Sequence, residues 1–81
     1  MKEMLITIAQ TIVDKPDDVN IKEIEGTGTS ILELTVAKSD LGKLIGKGGK
    51  TASAIRQLVY AASFKYKKRY TIEIQANHEG I

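Results

Sequence analysis

The stretch from Leu44 to Thr51 constrains this chain most, because it places three of the seven glycines within four residues. Glycine inside a helix or strand costs roughly 0.5–1 kcal/mol relative to alanine, so the cluster predicts a turn with positive φ or one that another molecule approaches closely. A helical pattern resumes at Lys50, and unpaired N–H groups at a helix N-terminus favour an anion. Lys47 and Lys50 also favour a negatively charged ligand, and phosphate is the predicted group.

Length and composition narrow the class of protein. Eighty-one residues form one domain with a modest core, which a partner chain can help to stabilise. The chain has no cysteine and one histidine, His78, which argues against a disulfide framework and a metal site. No apolar run approaches the roughly 18 residues of a membrane span, and no signal-peptide pattern is visible. We therefore expect a cytoplasmic protein without a cofactor, a small-molecule substrate or a membrane contact.

The charges are divided unevenly along the chain. Residues 1–37 hold three lysines and seven acids, whereas residues 38–81 hold nine basic residues and three acids. The glycine turn lies in the basic half. This distribution is compatible with a surface that faces a polyanion, and equally with a solvated lysine-rich surface.

The apolar pattern predicts six elements. Helical spacing over residues 2–13 ends before Pro16, and alternation from Val19 predicts a strand that becomes irregular or ends at Ile24. A turn over residues 25–30 joins it to a clear strand over 31–37. Ser39 is the predicted N-cap of a short helix over 40–45, and a long helix follows over 50–67. A strand over 70–75 completes the domain of residues 2–75, and 76–81 are expected to form a flexible tail.

This order, α-β-β-α-α-β, predicts an α+β fold. Two strands joined by a short turn run antiparallel, and a strand reached through two helices most naturally runs parallel to the preceding one. We therefore expect a three-stranded mixed sheet with its second strand in the centre. Each strand has one apolar side, so the helices should pack on one face. The face of the long helix predicted to enter the core carries Ala52, Ile55, Leu58, Val59, Ala62 and Tyr66.

Two simple interpretations of the glycine turn are less satisfactory than a third. A glycine C-cap explains one glycine but not three with two lysines. A P-loop would require glycine where Leu44 stands and would follow a strand directly, whereas a short helix precedes this turn. The third interpretation is a Gly-x-x-Gly loop, Gly46-Lys47-Gly48-Gly49, of the kind that clamps four backbone nucleotides of single-stranded RNA.

The residues around this loop resemble the KH family. Ile45, Gly46, Gly49 and Ile55 match its Ile-Gly-x-x-Gly-x-x-x-x-x-Ile pattern, and the element order resembles the type II form of the fold. The segments 16–19 and 40–47 are similar to those of small bacterial KhpA-type single-KH proteins, over about residues 1–75. The resemblance implies an RNA-binding protein that is not an enzyme, acting as a post-transcriptional regulator or RNA chaperone. It also implies a homodimer, or pairing with a larger KH-containing protein of the KhpB (Jag) type.

Candidate site residues follow from the loop and its flanks. The predicted RNA-binding set is Gly46, Lys47, Gly48, Gly49, Lys50, Lys43, Leu44, Ile45 and Arg56, in which backbone and lysines hold phosphates and apolar side chains line a groove for bases. Core packing is the competing interpretation of Leu44, Ile45 and Ile55, and a solvated surface that of Arg56. No catalytic or metal-binding residue is predicted.

Two further clusters lie on or after the long helix. Tyr60, Ala61 and Phe64 lie opposite its core face and are the predicted dimer interface. Lys65, Lys67, Lys68 and Arg69 either extend the RNA track or form a solvated helix end, and the second interpretation is favoured by the helix dipole. The alternative function is a KH-fold protein-interaction module with little or no RNA binding.

Overall fold

The computed structural model describes residues 1–77, and over this range the chain forms three α-helices and three β-strands. They are α1 (Lys2–Ile12), β1 (Asn20–Gly26), β2 (Thr29–Val36), α2 (Leu41–Ile45), α3 (Lys50–Tyr66) and β3 (Arg69–Ala76). Short 3-10 turns at Pro16–Asp18, Lys38–Asp40 and Lys47–Gly49 fill the connections. The predicted α-β-β-α-α-β order is confirmed.

The strands form one mixed sheet in the order β1-β2-β3. β1 pairs with β2 antiparallel and β3 pairs with β2 parallel, so Leu34 in the central strand lies between Ile21 and Ile74. This is the predicted topology. Among the described residues β3 is an edge strand, so its outer side has no strand partner within that range.

The hydrophobic core lies between one face of the sheet and the helices. Alternate residues of β2 point into it, and its members are Leu5, Ala9, Val13, Ile21, Leu32, Leu34, Val36, Leu44, Ile55, Val59 and Ile72. The intervening residues of β2 are exposed or half-buried on the opposite face. The prediction of helices on one face is therefore confirmed.

β1 is longer and more regular than its sequence pattern indicates. The irregularity or strand end predicted at Ile24 is absent, since Ile24 pairs with Ile31 and the ladder continues to Gly26 opposite Thr29. Both isoleucines lie on the outer face and stay partly exposed. On the inner face, the hydroxyl of Ser30 donates to a carboxylate oxygen of Glu23 over 3.0 Å. Because this polar pair lies on the inner face of the sheet and the two isoleucines lie on its outer face, the sequence of β1 does not show a regular alternation of apolar and polar residues.

Asp40 has a different role from the one its position predicts. α2 begins at Leu41 and has no side-chain cap, so the prediction of Ser39 as N-cap is wrong. The Asp40 carboxylate is buried and accepts hydrogen bonds from the backbone N–H groups of Asp14 (3.1 Å) and Lys15 (3.0 Å). It thereby fixes the segment after α1 against the start of α2 and holds the helix that precedes the glycine turn.

The last strand extends one residue beyond the predicted domain limit at 75. β3 ends at Ala76, and the N–H of Asn77 donates to the carbonyl oxygen of Val36 over 2.9 Å. The first two residues of the predicted tail, 76–81, therefore continue the sheet edge. Residues 78–81 lie outside the described residues.

Candidate nucleic-acid interface

The glycine turn joins α2 to α3 with three residues in conformations that favour glycine. Gly46, Gly48 and Gly49 have φ of 77°, 63° and 78°. The N–H of Gly46 closes α2 on the carbonyl of Gly42 (2.9 Å), and the N–H of Gly49 donates to the carbonyl of Gly46 (3.1 Å). Two successive left-handed residues thus lead directly into the first turn of α3, which begins at Lys50.

The three glycines are needed for different reasons. A Cβ atom on Gly46 would lie 2.3 Å from the Oγ1 atom of Thr51, so this position excludes any side chain. A Cβ on Gly48 or Gly49 would meet no atom within 4 Å. At these two positions glycine supplies the positive φ and leaves open space above the backbone. An approaching phosphate can therefore come within hydrogen-bonding distance of the turn.

Three lysines surround the turn, and all are exposed. Lys47 lies within it, Lys50 opens α3, and Lys43 lies one turn earlier on α2. The Nζ atom of Lys43 forms an ion pair with a carboxylate oxygen of Asp14. That hydrogen bond raises the pKa of Lys43, and the nearby Asp40 charge acts in the same direction. Asp14 therefore already engages the ammonium group of Lys43.

The apolar members of the predicted site separate into core and surface residues. The side chain of Leu44 is fully buried, so it has no surface to offer to RNA and its place in the predicted binding set is corrected to the core. Ile55 is also buried in the core, as favoured from its sequence position. Ile45, next to the first glycine, is 37 % exposed and remains available to a ligand.

A groove lies between α3 and the start of β3. Arg56 is exposed and lines a small cavity of about 180 Å³ with Val59, Tyr70, Thr71 and Ile72. A larger open cleft of about 610 Å³ adjoins it and shares two of these residues, Tyr70 and Thr71. The lining of this larger cleft, called the distal cleft below, is Gly28, Tyr60, Ser63, Phe64, Lys67, Lys68, Arg69, Tyr70 and Thr71.

Sequence reasoning missed the distal cleft, although a signal for it exists. Arg56, Tyr60, Ser63 and Lys67 follow one another at spacings of four, three and four, which places them along one side of a helix. That side lies beside β3, because these residues line the two cavities together with β3 residues. The helix periodicity predicts a core face and an opposite face, and this side of the helix lies between the two.

Of the three predicted dimer residues, two line the distal cleft and one does not. Tyr60 and Phe64 are 67 % and 68 % exposed and pack edge to face with ring centroids 5.1 Å apart, within the distal cleft. Ala61 is exposed but lies outside the cleft lining. It lies one turn from Leu58, which is 49 % exposed although the periodicity predicts it in the core. An exposed apolar stripe on α3 therefore includes a leucine that the sequence pattern assigned elsewhere.

Other classes of site are not apparent within residues 1–77. No helix in this range is long and apolar enough to cross a membrane, and no group of three or more histidine, cysteine or acidic side chains is placed to hold a metal ion.

Comparison with known proteins gives a consistent result. The family model described as "KhpA/KhpB, KH domain" matches residues 2–74. The relative named "RNA-binding protein KhpA" from Caldanaerobacter subterraneus subsp. tengcongensis is 53 % identical over 74 residues, covering 91 % of this chain and 99 % of that protein. Proteins of the same name from Clostridium acetobutylicum and Chlamydia trachomatis are 50 % and 49 % identical over 74 residues. Both alignments cover 91 % of this chain, and they cover 99 % and 95 % of those relatives.

These matches span the elements that build the glycine turn. The family is non-enzymatic, in agreement with the expectation from the sequence, and the relatives compared are bacterial. The resemblance inferred from the glycine turn and the element order is confirmed. With the matched region running from α1 into β3, the chain belongs to the KhpA/KhpB family of KH domains.

Proposed function

We propose that this chain binds single-stranded RNA and that the turn Gly46-Lys47-Gly48-Gly49 clamps the phosphate backbone. The observation that carries the proposal is the pair of open left-handed glycines, Gly48 and Gly49, at the start of α3 with exposed Lys47 between them and Gly46. The name "RNA-binding protein KhpA" carried by relatives that align over nine-tenths of the chain supports the same ligand.

The clamp works through backbone and charge together. The N–H of Lys50, the first residue of α3, already donates to the carbonyl oxygen of Lys47, so the partial positive charge of the helix dipole is what attracts the phosphate at this point. The absence of Cβ atoms at 48 and 49 lets a phosphate oxygen reach them. Lys47 and Lys50 add charge-assisted contacts. Such contacts hold the strand in position without reading its sequence.

Bases then turn towards the groove beside the loop. Ile45 offers an apolar contact next to Gly46, and the guanidinium of Arg56 lies further along α3 at the small cavity. The outer edge of β3 offers unpaired backbone donors and acceptors for base edges. Selectivity therefore depends on this groove, whereas the loop supplies affinity.

Salt dependence tests the electrostatic part of the proposal. For single-stranded nucleic acid, the logarithm of the binding constant falls with the logarithm of salt concentration by roughly 0.7 per phosphate contact. Contacts from the lysines at 43, 47 and 50 predict a slope of about −2 for a four-nucleotide RNA. Fluorescence anisotropy with labelled oligouridylate measures it. A slope near zero would contradict a phosphate clamp.

The same fold also supports association with another protein. The exposed apolar stripe with Leu58 and Ala61 on α3, together with the small core, favours a homodimer or a complex with a larger KH-containing protein of the KhpB (Jag) type. In this setting the chain acts as a cytoplasmic post-transcriptional regulator or RNA chaperone. A KH-fold interaction module with little RNA binding is the competing function, and the salt titration separates the two.

A further inference from the structure

We propose that the distal cleft is a second contact site for single-stranded RNA, beyond the nucleotides held by the glycine turn. The proposal rests on the proposed function and extends the RNA path along α3. Its basis is the combination in one open cleft of an exposed aromatic pair, Tyr60 and Phe64, with the cationic residues Lys67 and Arg69.

The aromatic pair is suited to stacking a base. Both rings are about two-thirds exposed, and their edge-to-face packing fixes the orientation of each before a ligand arrives. Base–aromatic stacking is the main sequence-tolerant contribution in proteins that bind single strands. Tyr70 closes the other side of the cleft and packs edge to face on Tyr66, with ring centroids 6.0 Å apart.

The charges of the cleft favour a polyanion. Among the described residues, Lys68 is engaged, since its Nζ atom lies 3.4 Å from Glu25 and 5.9 Å from the centroid of the Tyr70 ring. Within the same range, neither Lys67 nor Arg69 forms an ion pair. The two cations can bind a phosphate, and the exposed rings beside them can stack on its base. The same cations disfavour a purely apolar protein segment as the ligand.

The backbone at Lys67 is consistent with a binding role. Lys67 ends α3 with φ 54° and ψ 37°, a left-handed conformation that glycine usually occupies at this position. A lysine there retains strain that glycine would remove. The left-handed Lys67 contributes a cation to the lining of the cleft.

The distal cleft and the small cavity at Arg56 lie next to each other along α3. The small cavity at Arg56 shares Tyr70 and Thr71 with the distal cleft, so the two form one groove along α3. At about 1.5 Å per residue along the 17-residue α3, the cleft begins roughly 15 Å from the glycine turn at Tyr60 and ends roughly 25 Å from it at Lys67. Even when stacked at roughly 3.4 Å per nucleotide, a strand of about twelve nucleotides covers both sites.

The experiment compares a short and a long oligouridylate. Four nucleotides occupy the glycine turn alone, whereas about twelve also reach the distal cleft. We expect wild-type protein to bind the long strand at least tenfold more tightly by anisotropy, with a steeper salt dependence. The double variant Lys67→Asn and Arg69→Gln, and separately Phe64→Ala, should remove about tenfold of affinity for the long strand. Their affinity for the four-nucleotide strand should equal that of wild type, which also shows that they are folded.

Matched controls change exposed residues outside the cleft lining. Lys65→Gln with Lys38→Gln removes the same charge from exposed lysines, and Ile24→Ala truncates an exposed apolar residue. These variants should bind both strands like wild type. Equal loss in the charge control would reduce the effect to net charge and overturn the site.

The remaining outcomes separate the two proposals. Unchanged affinity of the cleft variants for the long strand overturns the second site. If the cleft variants also change the sedimenting mass of the protein, the cleft is instead occupied by a second copy of the chain. Loss of four-nucleotide binding on mutation of the glycine turn supports the clamp, whatever happens at the cleft. Conversely, cleft-dependent binding of the long strand without any binding of the short one refutes the clamp and leaves the cleft supported.

Discussion

Gly46 and Thr51 are in contact across the turn, and the geometry leaves no room for a Cβ atom on the glycine. A Cβ there would lie 2.3 Å from Oγ1, 2.7 Å from Cβ and 2.8 Å from the backbone nitrogen of Thr51. Because one of these atoms belongs to the backbone, rotation of the threonine side chain cannot relieve the clash. The first glycine of the turn is thus required by packing, and the other two by conformation.

Substitution of the glycines should follow this division. Gly46→Ala combines the clash with φ 77° and ψ 170°, a region almost confined to glycine, and should cost about 3 kcal/mol of unfolding free energy. Gly48→Ala should cost about 1 kcal/mol, since only the positive φ opposes it. Gly42→Ala, inside α2 and with open space around it, should stabilise by about 0.5–1 kcal/mol. Urea denaturation measures all three, and equal costs at 46 and 48 would contradict the packing argument.

Asp40 should contribute to stability through the two amides that it accepts. Asp40→Ala leaves the N–H groups of Asp14 and Lys15 without these partners and should cost about 2–3 kcal/mol. Asp40→Asn keeps one carbonyl oxygen as an acceptor and should cost less. Thermal unfolding of both variants measures the difference, with Asp17→Ala as the exposed-acid control. No difference between the alanine and asparagine variants would contradict the role of the carboxylate.

Asp14 should weaken RNA binding, because it competes with phosphate for Lys43. Asp14→Asn removes the charge that holds Lys43, so RNA affinity should rise by roughly twofold to fivefold at low salt. Asp17→Asn removes the same charge three residues away and serves as the control. Adding Lys43→Met to Asp14→Asn should remove the gain. A similar rise in the control would indicate a general effect of net charge instead.

Lys67→Gly should stabilise the protein while weakening its distal RNA contact. Glycine removes the left-handed strain at the end of α3, which is worth about 1 kcal/mol. The same change deletes a cation of the distal cleft. Chemical denaturation should therefore show a gain and long-strand RNA binding a loss. A variant that gains in both would contradict the binding role of Lys67.

Much of the fold could be predicted because each element carries a local signal. The glycine cluster, the alternation in β2 and the helical spacing in α3 are all periodic or conformational features that act over a few residues. They were sufficient for the topology, because a short hairpin and a two-helix crossover leave few arrangements of three strands.

The failures of prediction share a cause, which is tertiary contact. Leu58 fits the apolar stripe of α3, yet it is half exposed within residues 1–77. Leu44 adjoins the glycine turn, yet it points into the core. Asp40 resembles a residue of a first helical turn, yet it binds backbone groups 25 and 26 positions away. Local pattern cannot distinguish these cases.

RNA binding by the double variant Lys47→Asp and Gly48→Asp tests the central claim most directly. The two aspartates add repulsion where phosphate should lie, while the Cβ at 48 meets no neighbouring atom and Lys47 is exposed, so the fold should be retained. The matched control, Lys22→Asp with Thr27→Asp, makes the same change in charge on exposed residues of the β1–β2 hairpin. In filter binding of a four-nucleotide RNA at low salt, we predict loss of binding in the loop variant and near-wild-type affinity in the control. Equal affinity of wild type and loop variant, with unchanged circular dichroism, would contradict the clamp.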